Sequence, residues 1–477
     1  MNVEPHPVAA DHTVEIGWWT PRLAGPVIAA ATVRLALLIF LLARIGSRAL
    51  LQADTSSYLI PGRNLLLHGS FIADNAPDLM RTPGYPIFLS IVILLGVPAA
   101  ALANVILSVF SVVLVWRLGR MVFEDPGIAL GAAWIFAFEA GSVSLSVVLL
   151  SETLFLVLLL LSLERVTTFL RGRCLPALAV AGLWLSAATF VRPISYYLPF
   201  ALAVGLFLVL LHEPGLRWKA PALLLIPALA SVGAWQVRNW IQTGYSGFSS
   251  ISDVNLYFLT AANVTAKVDH RAAGDVISGL GYSDFTLHSG QVYLQQPYLA
   301  RHPEQAGWNQ SQLLAYLHSE AVHVIRDHPL VYLRLCLVDM LKMLFTPATY
   351  GLSRPIVPKA PTYSITIANQ GLAAWRLILA RAQAHPLVVI ESAVFGILLL
   401  ALYLFAARGL LRGDARAACL YLLLGTSVYF LALSAASVMG PLATPRYRIP
   451  VMPVVCILAA AGLRRTKDEG ASRPQCP

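Results

Sequence analysis

The sequence predicts an all-α polytopic membrane protein with about ten transmembrane helices, and three observations support this fold class. Of the 477 residues, 57% are hydrophobic and 12% are charged, whereas soluble globular proteins carry about 25% charged residues. The mean hydropathy is +0.69. Apolar stretches of roughly the 20 residues that cross the hydrocarbon layer recur along the chain. This composition excludes a soluble enzyme and a disordered chain, because both need far more polar surface.

Ten apolar segments account for the predicted spans. Their approximate bounds are 25–43, 97–116, 127–140, 145–163, 174–190, 194–211, 220–237, 386–407, 417–439 and 449–463. Residues 25–463 are therefore expected to form one transmembrane domain between an N-terminal tail, residues 1–24, and a C-terminal tail, residues 464–477. The opening residues lack the basic start and cleavage site of a signal peptide, so the first apolar segment is expected to remain as an anchor.

Positive charges in the short loops predict the orientation of these spans. One set of short loops and the C-terminal tail hold fourteen basic residues: Arg117, Arg120, Arg165, Arg171, Arg173, Arg217, Lys219, Arg408, Arg412, Arg416, Arg464, Arg465, Lys467 and Arg473. The opposite short loops hold three, Arg192, Arg446 and Arg448. Both termini are therefore predicted to be cytoplasmic, in a membrane that we expect to be the bacterial inner membrane. The net charge is +10, but the basic residues are distributed among these loops and form no dense basic arm. No nucleic-acid partner is therefore predicted.

Two long segments then fall on the outer face, residues 44–96 and residues 238–385. Within the first, residues 55–67 and 84–95 have helical patterns too short to span, which predicts juxtamembrane helices at the interface. In the second, an amphipathic pattern from Ser311 to Phe345 predicts another interfacial helix. The sequence indicates no separate soluble domain.

Carboxylates near the outer ends of the spans are the first candidates for chemistry. Asp54 follows the first span and could accept a proton from an attacking hydroxyl, although an Asp before a helix can equally be a cap. Glu152 begins the fourth span, where a carboxylate costs about 2.5–3.5 kcal/mol on insertion scales and suggests a function. Glu139 ends the third span. Glu139 and Glu152 could instead form structural bridges with Arg192 or Arg238.

Arginines on the outer side are the second group of candidates. Arg81 opens the sequence R-T-P-G-Y-P, whose prolines and glycine fix the backbone, and a guanidinium group binds phosphate through paired hydrogen bonds. The alternative is a helix start with a snorkelling arginine. Arg192, Arg238 and Arg446 run against the positive-inside bias, so each needs a phosphate or carboxylate partner nearby. Arg34, inside the first span, is expected in a buried structural pair.

Cysteine and histidine spacing does not indicate a metal site of the usual kinds. The five cysteines are widely separated, which excludes a CxxC zinc site and a disulfide framework. The histidines of the second outer segment lack close ligand spacing, so solvated histidines are favoured over a metal centre.

Taken in order, the motifs resemble the GT-C superfamily of membrane glycosyltransferases. They are an early Asp in the first outer loop, R-T-P-G-Y-P, S-E-T at the start of the fourth span, R-P, W-x-x-R-N-W before a large outer loop, and a late R-Y-x-x-P. The nearest relatives would be protein O-mannosyltransferase-like (glycosyltransferase family 39-like) and aminoarabinose-transferase-like enzymes. The resemblance covers nearly the whole chain and is loosest from about 245 to 310.

The resemblance implies an inverting transfer of sugar from a polyprenyl-phosphate carrier to a glycan, lipid or protein acceptor on the outer face. It implies that Asp54 is the catalytic general base and that Glu152 assists the site. Arg81, Arg238 and Arg446 match basic positions that bind the donor phosphate. Tyr58, Tyr85, Arg192 and Tyr447 are expected to line the cavity.

The family often has two adjacent carboxylates in the first loop, whereas Asp54 is followed here by Thr55. This departure favours a monophosphate donor. No cofactor is predicted, and a divalent metal ion stays open, with Asp54 and Glu152 as its candidate ligands.

Two other functions stay open. A transporter or lipid flippase would also have about ten spans, but it would place ionisable residues near the midplane, often in two related halves. A GT-C-like glycan polymerase or ligase would change the donor and keep the fold.

Overall fold

The computed structural model describes residues 17–73, 76–282, 300, 302–347, 383, 386–412, 415–440 and 444–464. Regular structure in these ranges is helical except for two short antiparallel strands, β1 (Ile72–Ala73) and β2 (Ala76–Pro77). The all-α class is confirmed. Most of the two predicted tails and much of the second outer segment after residue 347 lie outside the described residues.

Eighteen helices are used in the description below. In chain order they are α1 (Ala24–Arg44), α2 (Thr55–His68), α3 (Gly84–Val92), α4 (Val97–Phe123), α5 (Pro126–Ala137), α6 (Ala140–Ser146), α7 (Glu152–Gly172), α8 (Leu175–Val191), α9 (Leu198–Val209), α10 (Lys219–Thr243), α11 (Ile251–Asn255), α12 (Ala262–Val268), α13 (Ala273–Gly279), α14 (Gln310–Asp327), α15 (Pro329–Phe345), α16 (Pro386–Leu410), α17 (Ala417–Ser437) and α18 (Met452–Leu463).

Six of these helices are long and apolar enough to cross a membrane: α1, α4, α7, α10, α16 and α17. The pair α5 and α6, bent by 54°, makes a possible seventh span. The predicted count of about ten is therefore not confirmed. Three predicted spans form α8, α9 and α18, which have 17, 12 and 12 residues and fall short of a straight crossing of roughly 20.

Glu139 lies at the break between α5 and α6. Its carboxylate accepts the backbone N–H groups of Gly141 (3.0 Å) and Ser142 (2.6 Å), which caps the start of α6. Glu139 thus serves as a helix cap, and the structure does not have the alternative bridge from Glu139 to Arg192 or Arg238. The predicted third span ends at Ala137, and the fourth begins at Glu152 rather than near residue 145.

Arg34 ties α1 to this same break. The buried guanidinium donates to the hydroxyls of Ser108 (2.8 Å) and Ser142 (3.0 Å) and to the Ala137 carbonyl (2.8 Å) at the end of α5. Within the described ranges no carboxylate lies within ion-pairing distance of Arg34. The expected buried pair is therefore a set of neutral acceptors, one of which is a carbonyl that a helix end leaves without an intrahelical partner.

Basic residues of the predicted cytoplasmic loops meet at one end of the bundle. The carboxylate of Glu124, just after α4, lies 2.7 Å from Arg171 and 2.5 Å from Arg416. Arg171 is near the end of α7, which begins at Glu152 and has 21 residues. At about 1.5 Å per residue, Glu152 lies roughly 30 Å from this basic end. Glu152 and the basic loops therefore lie at opposite ends of the helix bundle.

The outer segments form a smaller second core. Leu79 from the first segment packs with Phe258 of a π-helical turn (Leu256–Ala261) and with Leu313 and Leu317 of α14. The predicted helical patterns at 55–67 and 84–95 are confirmed as helices α2 and α3, the latter extended by a 3₁₀ turn to Leu95. The long pattern from Ser311 is divided into α14 and α15, because Pro329 starts a new helix.

Two hydrogen bonds join the two outer segments beside Arg81. The Ser249 hydroxyl donates to the Met80 carbonyl (2.6 Å), and the Ser250 N–H donates to the Leu79 carbonyl (2.8 Å). The second outer segment thereby fixes the loop that carries Arg81.

Candidate functional site

Five charged side chains from separate parts of the chain meet at the ends of helices. Asp54 directly precedes α2, Glu152 is the first residue of α7, and Arg192 directly follows α8. Arg81 lies in the loop before α3, and Arg446 lies in a 3₁₀ turn (Pro445–Arg448) before α18. All five were predicted as site residues, and their ion pairs bring them into one cluster.

Asp54 contacts two arginines and still reaches solvent. Its Oδ1 lies 3.2 Å from Arg81 Nη2 and its Oδ2 lies 3.3 Å from Arg446 Nη1, while 31% of the side chain is exposed. Its side chain makes no capping bond to α2, so the helix-cap alternative does not describe it. Burial raises the pKa of Asp54, but the two guanidinium groups outweigh burial and hold that pKa below its usual value. Asp54 is therefore a charged carboxylate at neutral pH.

Arg81 is held in place on several sides. Its Nε donates to the Ser57 hydroxyl (3.0 Å), its Nη1 donates to the Tyr58 hydroxyl (3.2 Å), and its guanidinium lies 4.4 Å from the centre of the Tyr58 ring. The backbone N–H of Arg81 donates to Asp78 Oδ1 (2.9 Å). A snorkelling arginine would be free of such contacts, so the position of Arg81 is built into the fold.

Glu152 is the buried counterpart of Asp54. Its Oε1 lies 2.5 Å from Arg192 Nη1 and 3.8 Å from Arg446 Nε, and only 4% of its side chain is exposed. Its Oε2 is buried and has no hydrogen-bond partner in the described part of the chain. The predicted alternative of a bridge to Arg192 is present, and Arg446 shares the same carboxylate.

Arg446 connects the two carboxylates, and the whole cluster is positive. The three guanidinium groups of Arg81, Arg192 and Arg446 surround the two carboxylates, so one positive charge is in excess. Such a cluster can bind an anion, because guanidinium groups form charge-assisted hydrogen bonds with phosphate oxygens.

Aromatic side chains support this cluster. Tyr447 accepts a hydrogen bond from Arg446 Nη2 (3.1 Å), and its ring centre lies 5.8 Å from the guanidinium of Arg192. Tyr58 and Tyr85 pack edge to face with ring centres 4.8 Å apart. Tyr85 is fully buried and lies behind Tyr58.

Arg238 lies outside the cluster of ion pairs. Its guanidinium donates to the carbonyls of Phe71 (2.7 Å) and Asp78 (3.2 Å) and packs 4.7 Å from the centre of the Trp235 ring. The structure thus places Arg238 against the backbone of the loop that carries Arg81.

Two pockets flank Arg446. One is lined by Glu152, Phe155, Arg192, Ile194, Arg446, Tyr447, Ile449 and Pro450. The other is lined by Gly141, Ser144, Leu145, Leu150, Pro445, Arg446 and Ile449. Apart from Arg446, the second lining is nearly all apolar, so Arg446 lies between a charged group of residues and an apolar one.

Sequence reasoning missed Asp78, which is fully buried. Its Oδ1 accepts the backbone N–H groups of Met80 (2.8 Å) and Arg81 (2.9 Å), and its Oδ2 has no hydrogen-bond partner among the described residues. Burial raises the pKa of Asp78 to about 7, against the lowering effect of these N–H groups and of Arg81. Asp side chains commonly accept the backbone N–H two residues further along the chain, which forms a tight turn. The position of Asp78 two residues before Met80 and three before Arg81 is therefore the signal that could have identified it.

The residues present do not fit a divalent metal ion. Asp54 and Glu152 both face guanidinium groups, and no group of three or more His, Cys, Asp or Glu side chains in the described ranges is arranged as a metal site.

Comparisons with known proteins gave structural matches only. No family model matches the chain, and no curated protein matches it in sequence. Among solved structures, the chain is similar to the archaeal oligosaccharyltransferase AglB from Archaeoglobus fulgidus in complex with an inhibitory peptide and a dolichol-phosphate. The identity is 12%, the TM-score is 0.47, and the match covers 92% of this chain and 50% of that one. The chain thus spans about half the length of AglB.

It is also similar to ArnT from Cupriavidus metallidurans bound to undecaprenyl phosphate. The identity is 13%, the TM-score is 0.38, and the match covers 92% of this chain and 78% of that one.

Proposed function

We propose that this protein is a glycosyltransferase that moves a sugar from a polyprenyl-phosphate carrier to an acceptor on the outer face of the membrane. The observation that carries the proposal is the cluster itself. A partly exposed carboxylate, Asp54, and an excess of arginine charge meet at one end of a bundle of apolar helices. The ordered motifs that resemble the GT-C superfamily run through the same residues.

In this proposal Arg81 and Arg446 bind the phosphate of the donor. Both guanidinium groups already contact the Asp54 carboxylate, so a phosphate oxygen can take the place of one carboxylate contact at each. The apolar residues beside Arg446, which include Leu145, Leu150 and Ile449, would contact the first part of a prenyl chain. Arg238 acts indirectly, because it supports the loop that carries Arg81.

Asp54 then acts as the general base. It takes the proton of the acceptor hydroxyl or amine while that nucleophile forms a bond to the anomeric carbon of the sugar. The bond from the anomeric carbon to the phosphate oxygen breaks, and the prenyl phosphate leaves with the electron pair from the opposite face. The configuration is therefore inverted. When a phosphate shares the hydrogen bonds of Arg81 and Arg446, its negative charge offsets part of theirs and the pKa of Asp54 rises, so the carboxylate becomes a better base when the donor is bound.

Glu152 has a positioning role in this scheme. Its carboxylate is buried and held by Arg192, so it cannot easily reach an acceptor. It instead fixes Arg446 from the side opposite Asp54. This keeps the shared guanidinium in place when the phosphate arrives and leaves.

The outer-face location follows from the separation of charge in the bundle. The cluster lies at the start of α7, and the basic residues around Glu124 lie at its other end. If those basic residues are cytoplasmic by the positive-inside rule, then the cluster faces the periplasm and both termini are cytoplasmic. A transporter is less well supported, because these ionisable groups lie at helix ends rather than at the midplane.

The test combines a host and a purified system. Glycans and lipids of a host with and without the protein are compared by mass spectrometry, and a missing sugar identifies the donor and acceptor classes. The purified chain in nanodiscs is then given the corresponding prenyl-phosphate sugar, and release of prenyl phosphate is measured. We expect release that depends on the acceptor. Accumulation of an untransported solute in the host, with no release by the purified chain, would contradict the proposal in favour of a transporter.

A further inference from the structure

The turn that carries Arg446 contains a second arginine, Arg448, whose side chain leaves the turn in another direction. Both belong to the 3₁₀ turn Pro445–Arg448. A 3₁₀ helix has three residues per turn, so side chains two positions apart leave it about 120° apart. The side chain of Arg446 is 32% exposed and contacts Asp54, whereas Arg448 is buried. The orientation of Arg446 therefore depends on what binds Arg448.

Arg448 is bound to the end of helix α15 (Pro329–Phe345). Its Nη1 lies within hydrogen-bond distance of the carbonyls of Met343 (3.0 Å), Leu344 (3.1 Å) and Thr346. The last carbonyls of a helix lack intrahelical partners and form the negative end of its dipole, so a cation is favoured there. Among the described residues, no carboxylate lies within ion-pairing distance of Arg448. The end of α15 therefore supplies the negative charge that this buried guanidinium needs.

The same helix also binds the chain before the turn. Asp339, midway along α15 and buried, accepts the backbone N–H of Gly440 through its Oδ2 (2.9 Å). Its Oδ1 pairs with Lys342 (2.7 Å), which fixes the carboxylate. Gly440 precedes Arg446 in the chain, and Arg448 follows it. Helix α15 therefore binds the segment that carries Arg446 at one point on either side of that residue.

The second outer segment thus fixes both arginines that contact Asp54. Helix α15 belongs to this segment and binds the turn of Arg446. Two serines of the same segment donate hydrogen bonds to the carbonyls of Leu79 and Met80, directly before Arg81. Each of the two guanidinium groups contacts one oxygen of the Asp54 carboxylate. One part of the chain therefore sets the spacing of the two groups assigned to the donor phosphate.

We propose that Arg448 is a positioning residue for the donor phosphate: bound to the end of α15, it fixes the turn from which Arg446 reaches that phosphate. This inference rests on the proposed function, because it takes Arg446 to bind the phosphate. Inside the turn, the Tyr447 N–H lies 3.2 Å from the Thr444 carbonyl and the Ile449 N–H lies 3.4 Å from the Arg446 carbonyl. These bonds are longer than is usual for N–H groups, so the turn depends on its contact with α15.

The role of Arg448 differs from that of a phosphate ligand. Arg446 keeps its charge when Arg448 is removed, but it loses a fixed position. A charged group binds its ligand best when its position is set before the ligand arrives, because less conformational entropy is then lost on binding. Removal of Arg448 should therefore weaken binding of the donor and leave the acceptor largely unaffected.

The test replaces Arg448 in the full-length chain in nanodiscs. Arg448→Met removes the donor to the helix-end carbonyls, and Arg448→Lys keeps a cation there. The matched control is Arg412→Met, because Arg412 donates to the carbonyls of Ala461 and Arg464 at the end of α18. That helix end lies at the basic end of the bundle, away from the cluster. Release of prenyl phosphate gives kcat and the KM values for donor and acceptor.

We expect Arg448→Met to raise the KM for the donor by about 10-fold, the effect of losing one hydrogen bond to a charged group. The KM for the acceptor should change less, and Arg448→Lys should recover part of the donor affinity. Arg412→Met should leave both KM values unchanged. Equal rises for donor and acceptor in Arg448→Met, or the same rise for the donor in Arg412→Met, would show a general structural role and overturn the proposal.

Hydrogen exchange tests the contact with α15 without any reaction. Exchange of the amides of Tyr447 and Ile449 is followed by mass spectrometry in a peptide that covers residues 444–451. We expect Arg448→Met to speed this exchange by about 10-fold, because the turn loses its contact with the helix end. Arg412→Met should leave it unchanged. Equal exchange in the unsubstituted and Arg448→Met proteins overturns the proposal, whatever their activity.

Arg81→Ala separates a failure of this proposal from a failure of the proposed function. Arg81 is assigned to the phosphate directly, whereas Arg448 acts through Arg446. If Arg81→Ala raises the KM for the donor and Arg448→Met does not, the positioning role is wrong and the proposed function stands. If neither variant raises it, or if the unsubstituted chain releases no prenyl phosphate, the cluster does not bind the donor and the positioning role is wrong with it.

Discussion

Asp54 and Glu152 lie on opposite sides of one guanidinium, that of Arg446, and they differ in their access to water. Asp54 is 31% exposed, and its two arginine contacts are 3.2 and 3.3 Å long. Glu152 is 4% exposed, and its contact with Arg192 is 2.5 Å. The open and loosely paired carboxylate can meet a substrate, whereas the buried one can only hold its neighbours. Two acids in one cluster therefore have different expected roles because of their surroundings.

The largest effect is expected from Asp54→Asn. Asparagine keeps the shape of the side chain but cannot accept the proton of the acceptor, and a positioned general base contributes about 10²–10⁴-fold. We expect the turnover number to fall by that factor while the purified protein stays folded. Turnover is measured as release of prenyl phosphate. Asp275→Asn, an exposed carboxylate of α13, is the control and should leave turnover unchanged. Near-normal turnover of Asp54→Asn would remove the assigned base.

Glu152→Ala should act on stability first. Removal of the carboxylate leaves Arg192 buried without its partner, and breaking a buried pair costs about 3 kcal/mol or more. We expect a lower midpoint of unfolding in detergent. The matched control is Glu213→Ala, which breaks the exposed pair of Glu213 with Arg173 at the basic end and should cost less than about 1 kcal/mol. A fully stable Glu152→Ala protein without turnover would reverse the roles of the two carboxylates.

Arg81→Ala should weaken donor binding. Arg81 contacts Asp54, the carboxylate that reaches solvent, so a phosphate can reach Arg81 as well. A hydrogen bond to a charged group is worth about 1.5–3 kcal/mol. We therefore expect the KM for the lipid donor to rise by about 10–100-fold, with a smaller change for the acceptor. Arg63→Ala, which removes an exposed arginine of α2, serves as the control. Equal loss for donor and acceptor would argue against phosphate binding by Arg81.

The smallest effect is a dependence of stability on pH through Asp78. Burial raises the pKa of Asp78 to about 7 in the folded protein, above the value of an unfolded aspartate. The folded state then binds the extra proton below pH 7, so this contribution to stability is present at low pH and is lost as pH rises through 7. Between pH 6 and 8 the loss is about 1 kcal/mol.

Asp78→Asn should remove this dependence, because asparagine cannot ionise but keeps an oxygen for the N–H groups of Met80 and Arg81. Unfolding midpoints at pH 6, 7 and 8 check it, with Asp269→Asn, an exposed acid, as the control. If wild-type and Asp78→Asn proteins change equally with pH, Asp78 does not titrate in this range. A clear difference would show that Asp78, the buried acid that holds the backbone of Arg81, titrates in this range.

Much of the cluster could be predicted because ionisable residues near membrane spans are rare and usually have a function or a specific partner. In a chain with so few charges, Asp54, Glu152 and the arginines at helix ends stand out against apolar surroundings, and each must find a partner. Arg238 was grouped with the phosphate-binding residues on the same reasoning, yet its guanidinium contacts backbone carbonyls. A partner can be a carbonyl as easily as an anion, and the sequence does not distinguish them.

Asp78 was missed because its signal is local and weak. A short Asp-to-backbone turn occurs in many loops, and only the packing of the second outer segment, through Ser249 and Ser250, buries this one. The ion pair suggested for Glu139 was wrong for a different reason, because the signal was strong but allowed two kinds of partner. As a charged residue near a span it suggested a bridge, but the helix break next to it supplied two N–H groups, which satisfy a carboxylate without any cation.

By itself, the sequence determined the fold class, the positions of most helices and the separation of basic loops from the acidic candidates. These depend on composition and on periodicity, which are local properties of the chain. The tertiary structure alone decided which charges pair and which elements meet. Arg446 meets Asp54 across 392 positions of sequence, and α15 contacts Ala436 and Tyr403. Such contacts join distant segments, so no pattern within one segment can specify them.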